Sequence, residues 1–107
     1  MAKAEILAGV CGFRTTVRAW PAGDGQIALQ IESECAAVCK LAAELTRVDP
    51  YREFSWRGEG PLTAKLASRY LTHPACPVPS GIIKAVEVAA ELALPADAMI
   101  RVSRSDD

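Results

Sequence analysis

Aromatic side chains are scarce, histidine occurs once, net charge is close to zero and long apolar runs are missing; each shortage removes a class of function. Aromatics are 6% of the 107 residues and hydrophobic residues 50%, so a globular chain with a core of Ala, Val, Leu and Ile is expected. A formal charge of −1 and a pI near 5.8 supply no general attraction to nucleic acid or anionic lipid. Neither is an expected partner. No uninterrupted apolar stretch approaches the roughly 20 residues that cross a bilayer. The opening residues Met1-Ala2-Lys3-Ala4-Glu5 set an acid beside the only early base, and glycines break the apolar run that follows. No secretory signal is expected, and a soluble, cytoplasmic location is. No glycine-rich phosphate loop, Ser-His-Asp set or His-Glu-x-x-His helix is recognisable, which leaves nucleotide hydrolysis and the familiar hydrolase chemistries without support. Whether the chain is an enzyme stays open on its residues.

What is present is four cysteines in a chain the size of one domain, 1–107. That length buries a core without staples, and no internal repeat, low-complexity segment or linker divides it. In a reducing compartment four cysteines point to a metal site or reactive thiols before a disulfide framework. Buried free thiols are the competing reading.

Residues 4–10 alternate Ile6, Ala8 and Val10 against Glu5, Leu7 and Gly9, which predicts a strand; Cys11-Gly12 turns the chain, and the β-favouring run from Phe13 to Trp20 predicts a second. Cys11 then sits at a hairpin tip. Pro21 to Gly25 is a turn cluster, and Gln26 to Glu32 alternates Ile27, Leu29 and Ile31 inward, a third strand. Ser33 is expected to cap a helix carrying Ala36, Val38, Leu41, Ala42, Leu45 and Val48, stopped by Asp49-Pro50. Residues 51–60 have no clear period, Pro61 opens a second helix running to Leu71, and Pro74, Pro77 and Pro79 keep 73–79 extended or turning. Ser80 is expected to cap a third helix, Gly81 to Leu92, and Met99 to Arg104 reads as a closing strand. The expected class is α+β: a three-stranded antiparallel meander plus a C-terminal strand, with three helices.

This order has a consequence for the thiols. Cys35 and Cys39 are four apart on a helix and share a face, with Cβ atoms roughly 5–6 Å apart. Consecutive antiparallel strands reverse direction, so the hairpin tip carrying Cys11 and the helix start at Cys35 are expected at one edge of the sheet. Cys76 precedes the third helix. Two helix starts would aim unpaired N–H groups and partial positive charge at one region, which stabilises thiolates or an anionic cluster. Gly12 allows close backbone approach beside Cys11, and Pro77 stiffens the chain at Cys76.

Cys11, Cys35, Cys39 and Cys76 are therefore candidate ligands of one inorganic centre. Tetrahedral zinc holds four sulfurs at about 2.3 Å, while an iron–sulfur cubane spreads its thiolates over separate irons. Zinc sites commonly use two close Cys pairs, and only Cys35/Cys39 is such a pair here, so scattered ligands suit a [4Fe–4S]-type cluster better. A Cys-Pro step also ends the bacterial ferredoxin ligand run, though the close-spaced run itself is missing. The expected function is a small metal-binding protein with a redox or electron-transfer role and an unknown redox or protein partner. A zinc-stabilised interaction module and a metal-free thiol redox protein are the alternatives.

The segment Cys76-Pro77-Val78-Pro79-Ser80-Gly81-Ile82-Ile83-Lys84-Ala85-Val86-Glu87, taken with Glu32-Ser33-Glu34-Cys35, resembles a small uncharacterised prokaryotic four-cysteine family, represented in anaerobes. The resemblance covers most of the chain. It implies no activity and no catalytic residue; an anaerobic setting would favour an oxygen-sensitive cluster over zinc.

Other residues carry weaker signals. His73 would replace one thiol as a ligand or act as a base near Cys76 if turned toward the helix starts, although a lone loop histidine is more often neither. Lys84 and Glu87, three apart on the third helix, read as a solvated pair before a catalytic one. Arg14, Arg18 and Trp20 form a stripe on one face of strand two that would suit a partner or small anion, yet half-exposed sheets carry arginines routinely.

Overall fold

A computed structural model describes residues 1–106. Four strands form one antiparallel sheet in the order β1 (Ala2–Leu7), β2 (Arg14–Pro21), β3 (Ile27–Ser33), β4 (Arg47–Val48). Four helices accompany it: α1 (Ala36–Glu44), α2 (Pro50–Glu53), α3 (Leu62–Tyr70) and α4 (Val78–Ala89). The class is the expected α+β, built on the expected meander.

Period-two patterning divides the sheet into two faces. Ala2 and Ile6 of β1, Val17 and Ala19 of β2, and Ile27 and Leu29 of β3 are buried on the helix side. Lys3 and Glu5 pair at 3.2 Å, and Arg18 reaches Glu32 at 3.6 Å, on the opposite face, which carries no helix. Against the buried face α4 lays a stripe of Val78, Ile82, Ala85, Val86 and Ala89, and α1 adds Val38 and Leu41. Leu45, Val48 and Leu66 complete this core. The contact of α4 with β1 is close: at Gly81 a Cβ would fall inside the Ile6 side chain, so a residue without one is required.

Several elements differ from expectation. The helix expected from Gly81 to Leu92 runs Val78–Ala89, so Ser80 lies inside α4 and is not its cap, and Pro79 is helical because the first turn of a helix accepts proline. The first helix does not run to Val48; it ends at Glu44, and Leu45 caps it with its N–H on the carbonyls of Leu41 and Ala42. Arg47–Val48 then pairs with Ala28 and Ile27 as the fourth strand. Met99 to Arg104, expected to be that strand, has no regular structure. Asp49-Pro50, expected as a stop, is instead a start: Asp49 Oδ1 accepts from the Tyr51 N–H at 3.0 Å and Pro50 occupies the first turn of α2. A proline forbids the helix behind it and suits the one ahead, so the same dipeptide serves both purposes.

Between α2 and α3 lies the buried carboxylate of Glu53. It accepts from the Leu62 N–H at 2.7 Å, from the Thr63 N–H at 2.9 Å and from the Thr63 hydroxyl. Pro61 at the start of α3 has no side-chain cap of its own. Glu53, nine residues upstream, satisfies those helix-start donors instead.

Candidate metal centre

Cys11 is exposed at the tip of the β1–β2 hairpin. The Gly12 N–H bonds the Gly9 carbonyl at 2.9 Å and the Ala8 N–H bonds the Phe13 carbonyl at 3.1 Å. Gly9 and Gly12 both take positive φ, 89° and 72°, a conformation in which L side chains are strained. The tight turn leaves Val10 and Cys11 at its apex.

Cys35 is half-buried and is the N-cap of α1. The expected cap, Ser33, instead ends β3. Its hydroxyl accepts from the Cys35 N–H at 3.1 Å and shares a hydrogen bond of 2.7 Å with the Thr15 hydroxyl across the sheet. Cys39 is exposed one turn on; its N–H bonds the Cys35 carbonyl at 3.0 Å and its thiol donates to the Ser33 carbonyl at 3.3 Å. Cys76 is half-buried against the core, in a turn closed by its N–H on the His73 carbonyl at 3.1 Å, two residues ahead of α4.

The register places these segments at one end of the sheet. Leu7 faces Arg14, and Thr15 faces Ser33, so the hairpin tip and the beginning of α1 lie together. Two hydrogen bonds join them: the Glu34 N–H to the Arg14 carbonyl at 3.1 Å, and the Arg14 N–H to Glu34 Oε1 at 2.7 Å. Gly81, in the first turn of α4, sits on Ile6 next to the same end of β1. The first turn of α4 thus lies over the end of β1 that leads into the Cys11 hairpin. Neither α1 nor α4 has a side-chain hydrogen bond capping its first turn, and neither first turn holds an acid. First-turn amides of this kind favour a bound anion. All four cysteines are free. Among the described residues, however, no three His, Cys, Asp or Glu side chains converge closely enough to hold a metal ion. Cys11 and the Cys35/Cys39 pair lie toward one end of the sheet, and Cys76 packs on the core ahead of α4, without the four closing on a point.

The remaining candidates are dispersed. His73 is exposed in the turn before Cys76. Lys84 and Glu87 form no ion pair among the described residues; both line an open cleft of about 280 Å³ with Glu53, Phe54, Trp56 and Ile83. Arg14, Arg18 and Trp20 do share the helix-free face, but Trp20 is half-buried and Arg18 is drawn to Glu32. Ser33, expected only as a helix cap, has a different part: its hydroxyl and carbonyl serve both members of the Cys35/Cys39 pair; the signal for it is a serine two residues ahead of a helical cysteine.

Among the described residues no helix is long and apolar enough to cross a membrane. No curated protein and no solved structure matches the chain. Residues 2–102, nearly the whole length, match the model of a family of unknown function, DUF6951, and the chain belongs to that family.

Proposed function

We propose that the chain is a small metal-binding protein that holds one inorganic centre, first of all an iron–sulfur cluster, through Cys11, Cys35, Cys39 and Cys76, in a redox or electron-transfer role. The observation that carries this reading is the meeting of the Cys11 hairpin with the Cys35/Cys39 helix start at one end of the sheet, with the first turn of α4, which Cys76 precedes, packed on the same end of β1. The donor set fits the group: four thiols, with no competing disulfide. As thiolates they are the ligands such clusters take. Bound there, the centre would supply a one-electron couple tuned by the N–H groups around its sulfurs. The protein's part is to orient the thiols, which bind as thiolates, and to bring Cys11 over the others. A turn flanked by two glycines with open space around them can make that movement.

Purification without air, followed by a visible spectrum and metal analysis, tests this. Brown protein with broad visible absorption, and iron and acid-labile sulfide in equal amounts, is the expected result. Colourless protein with one zinc per chain would replace the cluster with a structural ion on the same ligands. Protein free of both, giving a Cys35–Cys39 or Cys76-containing disulfide after mild oxidation, would end the metal reading in favour of thiol chemistry.

A further inference from the structure

The sheet has an open edge, and the chain carries a segment of strand pattern that joins no sheet. β1 is the outermost strand, and the Ala8 N–H to Phe13 carbonyl bond sets which of its groups face β2. With alternation in an antiparallel ladder, Ile6, Ala4 and Ala2 bond inward to Thr15, Val17 and Ala19. Lys3, Glu5 and Leu7 therefore turn their N–H and C=O groups outward, where no strand meets them. Such an edge is a template for another strand.

Residues 99–104, Met-Ile-Arg-Val-Ser-Arg, have the complementary character. Ile100 and Val102 alternate with Arg101 and Ser103, a β pattern. Among the described residues, 99–104 nevertheless form no backbone hydrogen bond, and Ile100 and Val102 are 80% and 86% exposed. The segment stands away from its own sheet after α4, and the molecule extends 51 Å in one direction against 28 and 27 Å in the others. The family match runs to residue 102 and so takes in Ile100 and Val102.

We propose that residues 99–104 pair with the open β1 edge of a second copy of this chain, reciprocally, to form a twofold arm-exchanged dimer. Placed there, Ile100 and Val102 fall on the helix side, where α4 already covers β1. Arg101 falls on the opposite face, beside the row holding Lys3 and Glu5, where Glu5 offers an opposite charge. The six residues 93–98 span at most about 20 Å, enough to carry an arm to an adjoining copy. Exchange of identical elements is a closed, symmetric arrangement that satisfies both edges at once. It is independent of the cysteines.

Light scattering across a range of concentrations, with amide hydrogen exchange on the full chain, tests this. The expected mass is twice the 11.4 kDa of one chain, with slowed exchange at 99–104 and at Lys3, Glu5 and Leu7. Two substitutions should each return the mass to a single chain while leaving one cooperative unfolding transition: Val102→Asp, and Glu5→Pro, which removes an edge N–H while sparing the bonds to β2. A monomer at every concentration overturns the proposal, whether 99–104 exchange freely or are protected on their own chain. So does a dimer that survives both substitutions, since it must use another face.

Discussion

Glu53 is the one charged side chain buried among the described residues, at 1% exposure, and it accepts three hydrogen bonds from the start of α3. Removing it leaves two helix-start N–H groups and a buried hydroxyl without their acceptor. Glu53→Ala is therefore expected to cost about 2–4 kcal/mol in urea unfolding, far more than Glu59→Ala at an exposed carboxylate. Similar midpoints for the two would show that water replaces the carboxylate. Cys11 is the opposite case. It is exposed and flanked by open space at Gly12, so Cys11→Ser should shift the stability of metal-free protein by less than about 0.5 kcal/mol. On the metal reading the same substitution should remove most of the bound iron or zinc. Retained metal would take Cys11 out of the ligand set. The cysteines stood out in the sequence because thiols are few and their spacing can be read by eye. Glu53 did not, because its partners are nine and ten residues away in a stretch without period.

The strands show how far pattern reading reaches at the level of elements. β1, β2 and β3 alternate cleanly, and each falls within about three residues of its expected limits. The short β4 was hidden, since Val48 also continues the apolar spacing of α1. Its partner is set by the ladder with Ile27 and Ala28 and not by local propensity. The reverse holds at Met99 to Arg104, where a strand pattern lacks a neighbour in its own chain. Docking of α4 was half legible: its apolar stripe was plain, but the fit of Gly81 over Ile6 depends on two residues 75 positions apart. Gly81→Ala is expected to cost about 1–3 kcal/mol despite the higher helix propensity of alanine, because the Ile6 side chain must leave its place. Ile6→Ala alone should cost about 2–5 kcal/mol. Together the two should cost clearly less than their sum, because the shortened side chain gives the new methyl room. Additive costs in a double-mutant cycle would show that the contact at Gly81 does not couple the helix to the strand.

At the scale of the molecule the structure is two layers with unequal ends. The core lies between one sheet face and α1, α3 and α4, and the opposite face is ordered by strand pairing and surface ion pairs, worth little individually. The cysteines lie in a hairpin tip, a strand-to-helix junction and a proline-rich turn, all segments with few buried groups to hold them. Local opening concentrates in such places. A centre bound by thiols from all three segments would tie them together, and its binding free energy would add to folding stability. With the centre at a hundredfold excess over its dissociation constant, mass action contributes about 2.7 kcal/mol. For a domain of this size that corresponds to a rise of roughly 10–20 °C in Tm. Metal-loaded protein should show that rise over protein stripped with chelator, together with slower amide exchange across Ala8 to Phe13, and Cys11→Ser should abolish the second effect. Equal Tm values for the two forms, with the hairpin exchanging as fast in both, would mean that nothing ties the three segments together.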